Sequence, residues 1–205
     1  MRTRQRGFTV LELLIAVTVA GIILALALPN YTDVINKRAV TNTAEQVRTF
    51  VNLGRSQAVK LNEKVTVTMT SNGGFCVGMR NSVATEAAVA CNCSDATAAN
   101  YCQITEGGTT EAYVVDGASF ENIGAPTLYD AGGGTVTSLS FTFDPVRGIV
   151  DADNDRAGAF VVESDNEKFA LQVGVGLTGR VVVCVPVAAR RSGTPQLPLS
   201  GYNNC

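Results

Sequence analysis

Few groups in this chain are equipped for chemistry, and their spacing narrows what they can do. There is no histidine and no tryptophan among the 205 residues. Without histidine the commonest general base is absent, so Ser-His and Cys-His nucleophile pairs cannot form. No phosphate-cradling or dinucleotide-binding glycine motif is present. Nothing here supports an enzyme or a cofactor. What remains is a carboxylate inside an apolar run, six cysteines, a short series of alternating aspartates and a late cluster of arginines.

The carboxylate is Glu12, the one charge in an otherwise uncharged stretch from Phe8 to Leu28. Those 21 residues make a helix of ~31 Å at ~1.5 Å per residue, enough to span a hydrocarbon core. A carboxylate at that depth costs roughly 2.5–3.5 kcal/mol and needs a dedicated partner. Arg2, Arg4 and Arg6 precede the run and predict a cytoplasmic N-terminus, with the remainder outside. A plain one-span anchor fits the length. A secretory signal fits Ala25-Leu26-Ala27, an A-x-A cleavage site. Neither reading needs Glu12. Pro29, where the run ends, is expected to kink, melt or terminate the helix.

The six cysteines are Cys76, Cys91, Cys93, Cys102, Cys184 and Cys205. Outside the membrane they are expected to oxidise, with 15 possible connectivities for three bridges. A Cys184–Cys205 bridge would pin the C-terminal tail to the last strand. The other four would staple an Ala-rich insertion that lacks the apolar residues to fold alone, or, as the competing reading, hold zinc. Asp151, Asp153 and Asp155 resemble the start of a calcium loop. However, Arg156 stands where that loop needs Gly, and Val162 where it needs Glu. A solvated turn is the simpler expectation. Arg180, Arg190 and Arg191 fall in residues 179–205, which carry no acid, whereas residues 86–170 hold 14 acidic and three basic residues, net −11. That field repels nucleic acid, so any DNA contact by these arginines should be weak.

The elements that position these groups follow from periodicity. Val40, Ala44, Val47, Val51, Gly54, Ala58 and Leu61 recur at helical spacing, with Phe50 and Leu53 widening the stripe. Small residues at 44, 54 and 58 would let the helix approach a sheet closely. After Leu61 the period becomes two. Residues 65–70 and 75–79 read as a hairpin around Asn72-Gly73-Gly74. Residues 135–143, 160–162, 169–173 and 180–185 read as further strands, with a turn at 164–167 and Pro186 as a stop. Residues from about 80 to 110 look like an insertion loop, and Gly132-Gly133-Gly134 a flexible break. The fold class is α+β, one long N-terminal helix on antiparallel sheet. Its segments are a leader at 1–7, an apolar helix at 8–29, an amphipathic helix at 30–62 and a β-rich head at 63–205 with a tail from 186.

Gly7-Phe8-Thr9 followed by Glu12 and the apolar run resembles the N-terminal signature of type IV prepilins. Arg55-Ser56-Gln57-Ala58-Val59, Phe141-Thr142-Phe143-Asp144-Pro145 and Gly179-Arg180-Val181-Val182-Val183-Cys184 are similar in order to the GspH/FimT family of minor pilins and pseudopilins. The resemblance implies cleavage after Gly7 by a prepilin peptidase and methylation of the new Phe8 amine. It also implies insertion in a bacterial inner membrane, head outward, and then assembly with other pilins. In the filament the Glu12 carboxylate would pair with the Phe8 amine of a neighbour and set axial register. The family includes type IV pilus initiation or tip subunits, type II secretion pseudopilins and DNA-binding members. In the last of these a Gly-Arg-x-Arg motif carries phosphate contacts; here Gly179-Arg180 matches but Val182 replaces the second arginine. Related pilus components use calcium, which bears on the aspartates. N-terminal sequencing of the mature chain checks the processing: Phe8 is expected, and Leu28 would mark a secretory signal instead.

Overall fold

The computed structural model describes residues 8–71, 75–82, 89–150, 158–187 and 199–205, the side chains of 25–30 excepted. The chain divides into two compact units, Met1–Ile35 and Asn36–Cys205. One helix, α1, runs Val10–Leu61. It continues through Pro29, so the helix neither ends nor melts there. The helix ends at Asn62, which takes a left-handed φ of 53°. The Glu63 N–H then bonds the Ala58 carbonyl at 3.3 Å, a six-to-one closure that satisfies an otherwise orphaned carbonyl.

Among the described residues eleven strands follow α1. They are β1 (Lys64–Thr70), β2 (Cys76–Ser82), β3 (Gln103–Glu106), β4 (Thr109–Ala112), β5 (Val114–Asp116), β6 (Thr127–Tyr129), β7 (Thr135–Val136), β8 (Ser138–Phe143), β9 (Ala159–Glu163), β10 (Ala170–Val175) and β11 (Val181–Cys184). Sheet order is β5-β2-β1-β8 in one sheet and β11-β10-β9-β6-β7 in a second, with β3-β4 a separate ribbon. All the named pairings are antiparallel. The expected hairpin is β1–β2, in register Thr70↔Cys76 and Val67↔Met79. The expected strand over 135–143 is instead two strands in two sheets, parted at Thr137. This crossing joins the sheets around one core.

In the unit from Asn36, α1 buries Val40, Ala44, Val47, Val51 and Ala58 in one core with apolar residues of both sheets. Leu53, expected in the stripe, is exposed, and Thr43 is buried in its place. Thr43 satisfies its hydroxyl by donating to the Ala39 carbonyl at 2.9 Å. Gly54 is where helix and sheet come closest. A β-carbon there would sit 2.8 Å from Val67 Cγ2 and 3.7 Å from Phe143 Cε2.

The region from 80 to 110 is not simply a loop: β2 reaches Ser82, and β3 and β4 form a ribbon. Two disulfides, Cys76–Cys93 and Cys91–Cys102, staple it. Sulfur in a disulfide has no thiolate to offer a metal, so these bridges replace the zinc reading. The four cysteines are buried together with Val114 against them. They lie over the outer face of β2, since a β-carbon on Gly78 would run into Cys102 and Cys93. Thr66 and Thr68, on the same face of the sheet, are buried. The Thr66 and Thr142 hydroxyls bond each other at 2.8 Å, and Thr68 Oγ1 accepts from the Cys91 N–H at 3.1 Å.

The triple glycine is an ordered turn between β6 and β7, not a flexible break. Asp130 accepts the Gly134 N–H on Oδ1 at 2.8 Å, and the Gly133 N–H on its carbonyl at 3.0 Å. The Gly54 contact yields a test. Gly54→Val gains almost nothing in helix propensity and overpacks the seam, so full-length protein in detergent should lose about 1–3 kcal/mol of stability by denaturant unfolding.

Candidate functional site

The first candidate site is the N-terminus of α1. Gly7 lies outside the described residues. Phe8 is described and exposed. Thr9 caps the helix: its Oγ1 accepts the Glu12 N–H at 3.3 Å, and its carbonyl accepts the Leu13 N–H at 3.2 Å. Thr9-Val10-Leu11-Glu12 is therefore a T-x-x-E capping arrangement, a pattern legible in the sequence that the apolar run had masked. Glu12 also places a negative charge in the first helical turn, where the helix dipole favours it. The cap occupies the Glu12 backbone N–H and leaves its exposed carboxylate available to another chain.

Every large apolar side chain from Phe8 to Leu24 is 50–84% exposed. A helix apolar on all sides demands an apolar environment from elsewhere. Among the described residues no helix is long and apolar enough to cross a membrane. The end of the apolar run, from residue 25, has no described side chains.

The second candidate is the C-terminal region. Arg190 and Arg191 lie outside the described residues, as do Asp151, Asp153 and Asp155 of the supposed calcium loop. Arg180 is described, exposed, and in no ion pair with a described residue. Gly179 before it has a structural explanation. It holds φ at 73° in the turn from β10 to β11, and a β-carbon there would lie against the Gly148 carbonyl.

The last residues are tied to the fold, although most of them stay exposed. Leu199 enters the core. Lys37 Nζ donates to Ser200 Oγ at 3.2 Å, and the Tyr202 hydroxyl donates to Glu45 Oε1 at 3.0 Å. Val185 exchanges bonds with Asn203 and Cys205 at 2.8 and 2.9 Å. Cys184–Cys205 closes the strap, as expected. By contrast, the Lys60–Glu106 pair is exposed on both sides, so salt screens it and it decides little.

A capped apolar N-terminal helix that continues onto antiparallel sheet defines a pilin-like α+β protein. The family model of the prokaryotic N-terminal methylation motif matches residues 2–28. That of the type II transport protein GspH matches residues 43–179, about two thirds of the chain. The chain belongs to the GspH family, the GspH/FimT-type pseudopilins and minor pilins. Membership implies a structural rather than enzymatic role, processing by prepilin peptidase, inner-membrane anchoring and then assembly with other pilins. No curated protein and no solved structure gives a match. The family match ends at Gly179, so β11, Arg180 and the disulfide-closed strap lie beyond it.

Burial, and then the bond to Glu45, raise the Tyr202 phenol above its ordinary value of 10.0. The folded state thus favours the protonated phenol. Its contribution is complete below pH ~10 and is lost as pH climbs past the unfolded value toward the raised one. Thermal unfolding at pH 9 and pH 11 should show wild type losing more stability over that interval than Tyr202→Phe.

Proposed function

We propose that this chain is a low-copy minor pilin that joins a type IV pilus near its tip or in its initiation complex. Glu12 in the first turn of an uncovered apolar helix is the observation that carries the filament reading. Cleavage after Gly7 frees an amine at Phe8. In a filament the Glu12 carboxylate then meets the Phe8 amine of a neighbour, and a subunit out of step leaves both charges unpaired. The low-copy reading rests on charge. Residues 86–170 carry a net −11, so stacking many identical heads would set like charge against like, a penalty that a few copies avoid. The second reading, an H-type pseudopilin of a type II secretion system, is favoured by the description of the matched family. It assigns the same roles to Phe8 and Glu12. A DNA-binding role keeps only Arg180 among the described residues, against the acidic head.

Glu12→Ala tests the pairing directly. Removing one member of a buried pair costs roughly 3–5 kcal/mol, so the variant should fall at least ~10-fold in filaments sheared from cells, at unchanged membrane abundance. Wild-type yield in the filament fraction would sink the reading.

A further inference from the structure

β11 is the edge strand of its sheet. The Gly176 N–H bonds the Arg180 carbonyl at 2.9 Å, which makes that pair hydrogen-bonded. Antiparallel pairs alternate, so Gly174↔Val182 and Gln172↔Cys184 are the bonded pairs within β10–β11. Val181 and Val183 therefore turn their N–H and C=O groups away from β10. Val185, of the same parity, does so too, and the tail satisfies it through Asn203 and Cys205. Among the described residues the tail goes no further along β11. Gly201 takes φ of 98°, the Tyr202 N–H turns back to the Leu199 carbonyl at 3.3 Å, and the Tyr202 hydroxyl is held by Glu45. No hydrogen bond reaches the outward groups of Val181 and Val183 from any described residue.

Beside this edge is an open groove of about 1180 Å³, lined among others by Arg180, Val182, Gly174, Tyr202 and Asn203. Arg180 and Val182 are both exposed. Asp130 also borders the groove, but its Oδ1 is engaged by the Gly134 N–H in its own turn. The open edge thus offers unpaired backbone groups, an exposed valine and a guanidinium without an acidic partner among the described residues.

We propose that the Val181–Val183 edge is an interaction surface, and that its partner is an extended, acid-bearing segment of a different pilin subunit. That segment adds to the sheet beyond β11, bonding the backbone of Val181 and Val183 and setting a carboxylate against Arg180. A protein strand fits better than nucleic acid, because it satisfies N–H and C=O together and meets the acidic head with far less charge. The proposal rests on the filament reading above.

The test places a photoreactive benzoylphenylalanine at Val182 in the full-length chain, expressed in cells that assemble the filament. Irradiation should give an adduct to another pilin, mapped by mass spectrometry to an extended segment containing Asp or Glu. Arg180→Glu should cut adduct yield about tenfold, the loss expected of one charge-assisted hydrogen bond. Val183→Pro should do the same, because it deletes an outward N–H and leaves the β10 ladder whole. An intact Cys184–Cys205 bridge by mass shows that the proline variant has folded. If it has not, the exposed Arg180→Glu carries the test alone. Co-purification with sheared filaments is scored separately. A chain absent from filaments defeats the filament reading; a chain present in them without an adduct defeats only the edge pairing. An adduct to nucleic acid, to a second copy of this chain, or insensitive to both substitutions also overturns the proposal.

Discussion

Two different surroundings are imposed on one continuous helix. From Asn36 onward α1 buries one stripe in the core of the head, and its other faces are mostly polar. From Phe8 to Leu24 its large apolar side chains are all exposed, and nothing in their own unit covers them. The free energy of that uncovered surface is recovered only in lipid or among other apolar helices. The membrane anchoring and assembly that family membership implies would keep it out of water. The buried stripe imposes the opposite demand, close fit. Gly54 sits where a single added carbon would press on Val67, so the seam depends on the absence of a side chain.

The head solves a different problem. Its insertion is rich in Ala, Thr and Asn, too poor in large apolar groups to build a second core. The two cystines stand in for one. They constrain the unfolded chain, and they lay four buried sulfurs over β2 where Gly78 leaves room. Buried on that face, Thr66 and Thr68 cannot bond water. They bond Thr142 and the Cys91 backbone instead. The C-terminal strap works in a related way, with Leu199 in the core and Cys205 bridged to β11.

Legibility divides along the range of the interactions. The helical stripe, the β1–β2 hairpin, the turn between β9 and β10 and the Cys184–Cys205 pair are carried by local pattern or by one obvious pairing, and they could be read from the chain. The split of residues 135–143 between two sheets was only half legible. The alternation slips by one between Val136 and Leu139, where Thr137 and Ser138 are both polar, but the slip alone does not say that the two halves join different sheets. Leu53 was misplaced because the width of a buried stripe depends on what faces it. The burial of Thr66 and Thr68 was not legible either, because alternation says which side chains share a face and nothing about whether that face is covered. At the candidate site, Glu12 was found by its cost in an apolar run. Its second role, in a T-x-x-E cap, was equally legible and was obscured by the stronger signal.

The two roles of Glu12 do not compete. Thr9 is bonded by the Glu12 backbone, not by its side chain, so capping fixes the first turn while the carboxylate remains exposed. Fixing that turn lowers the entropy lost when the carboxylate is bound. A well-formed helix start also adds its positive dipole end to whatever charge the Phe8 amine carries. The same few residues that begin the helix therefore present both a donor-rich positive end and a negative side chain. In the filament reading proposed above, a self-complementary pair of that kind favours a repeated axial step between subunits. At the third helical position the local backbone stabilises the carboxylate before any partner arrives.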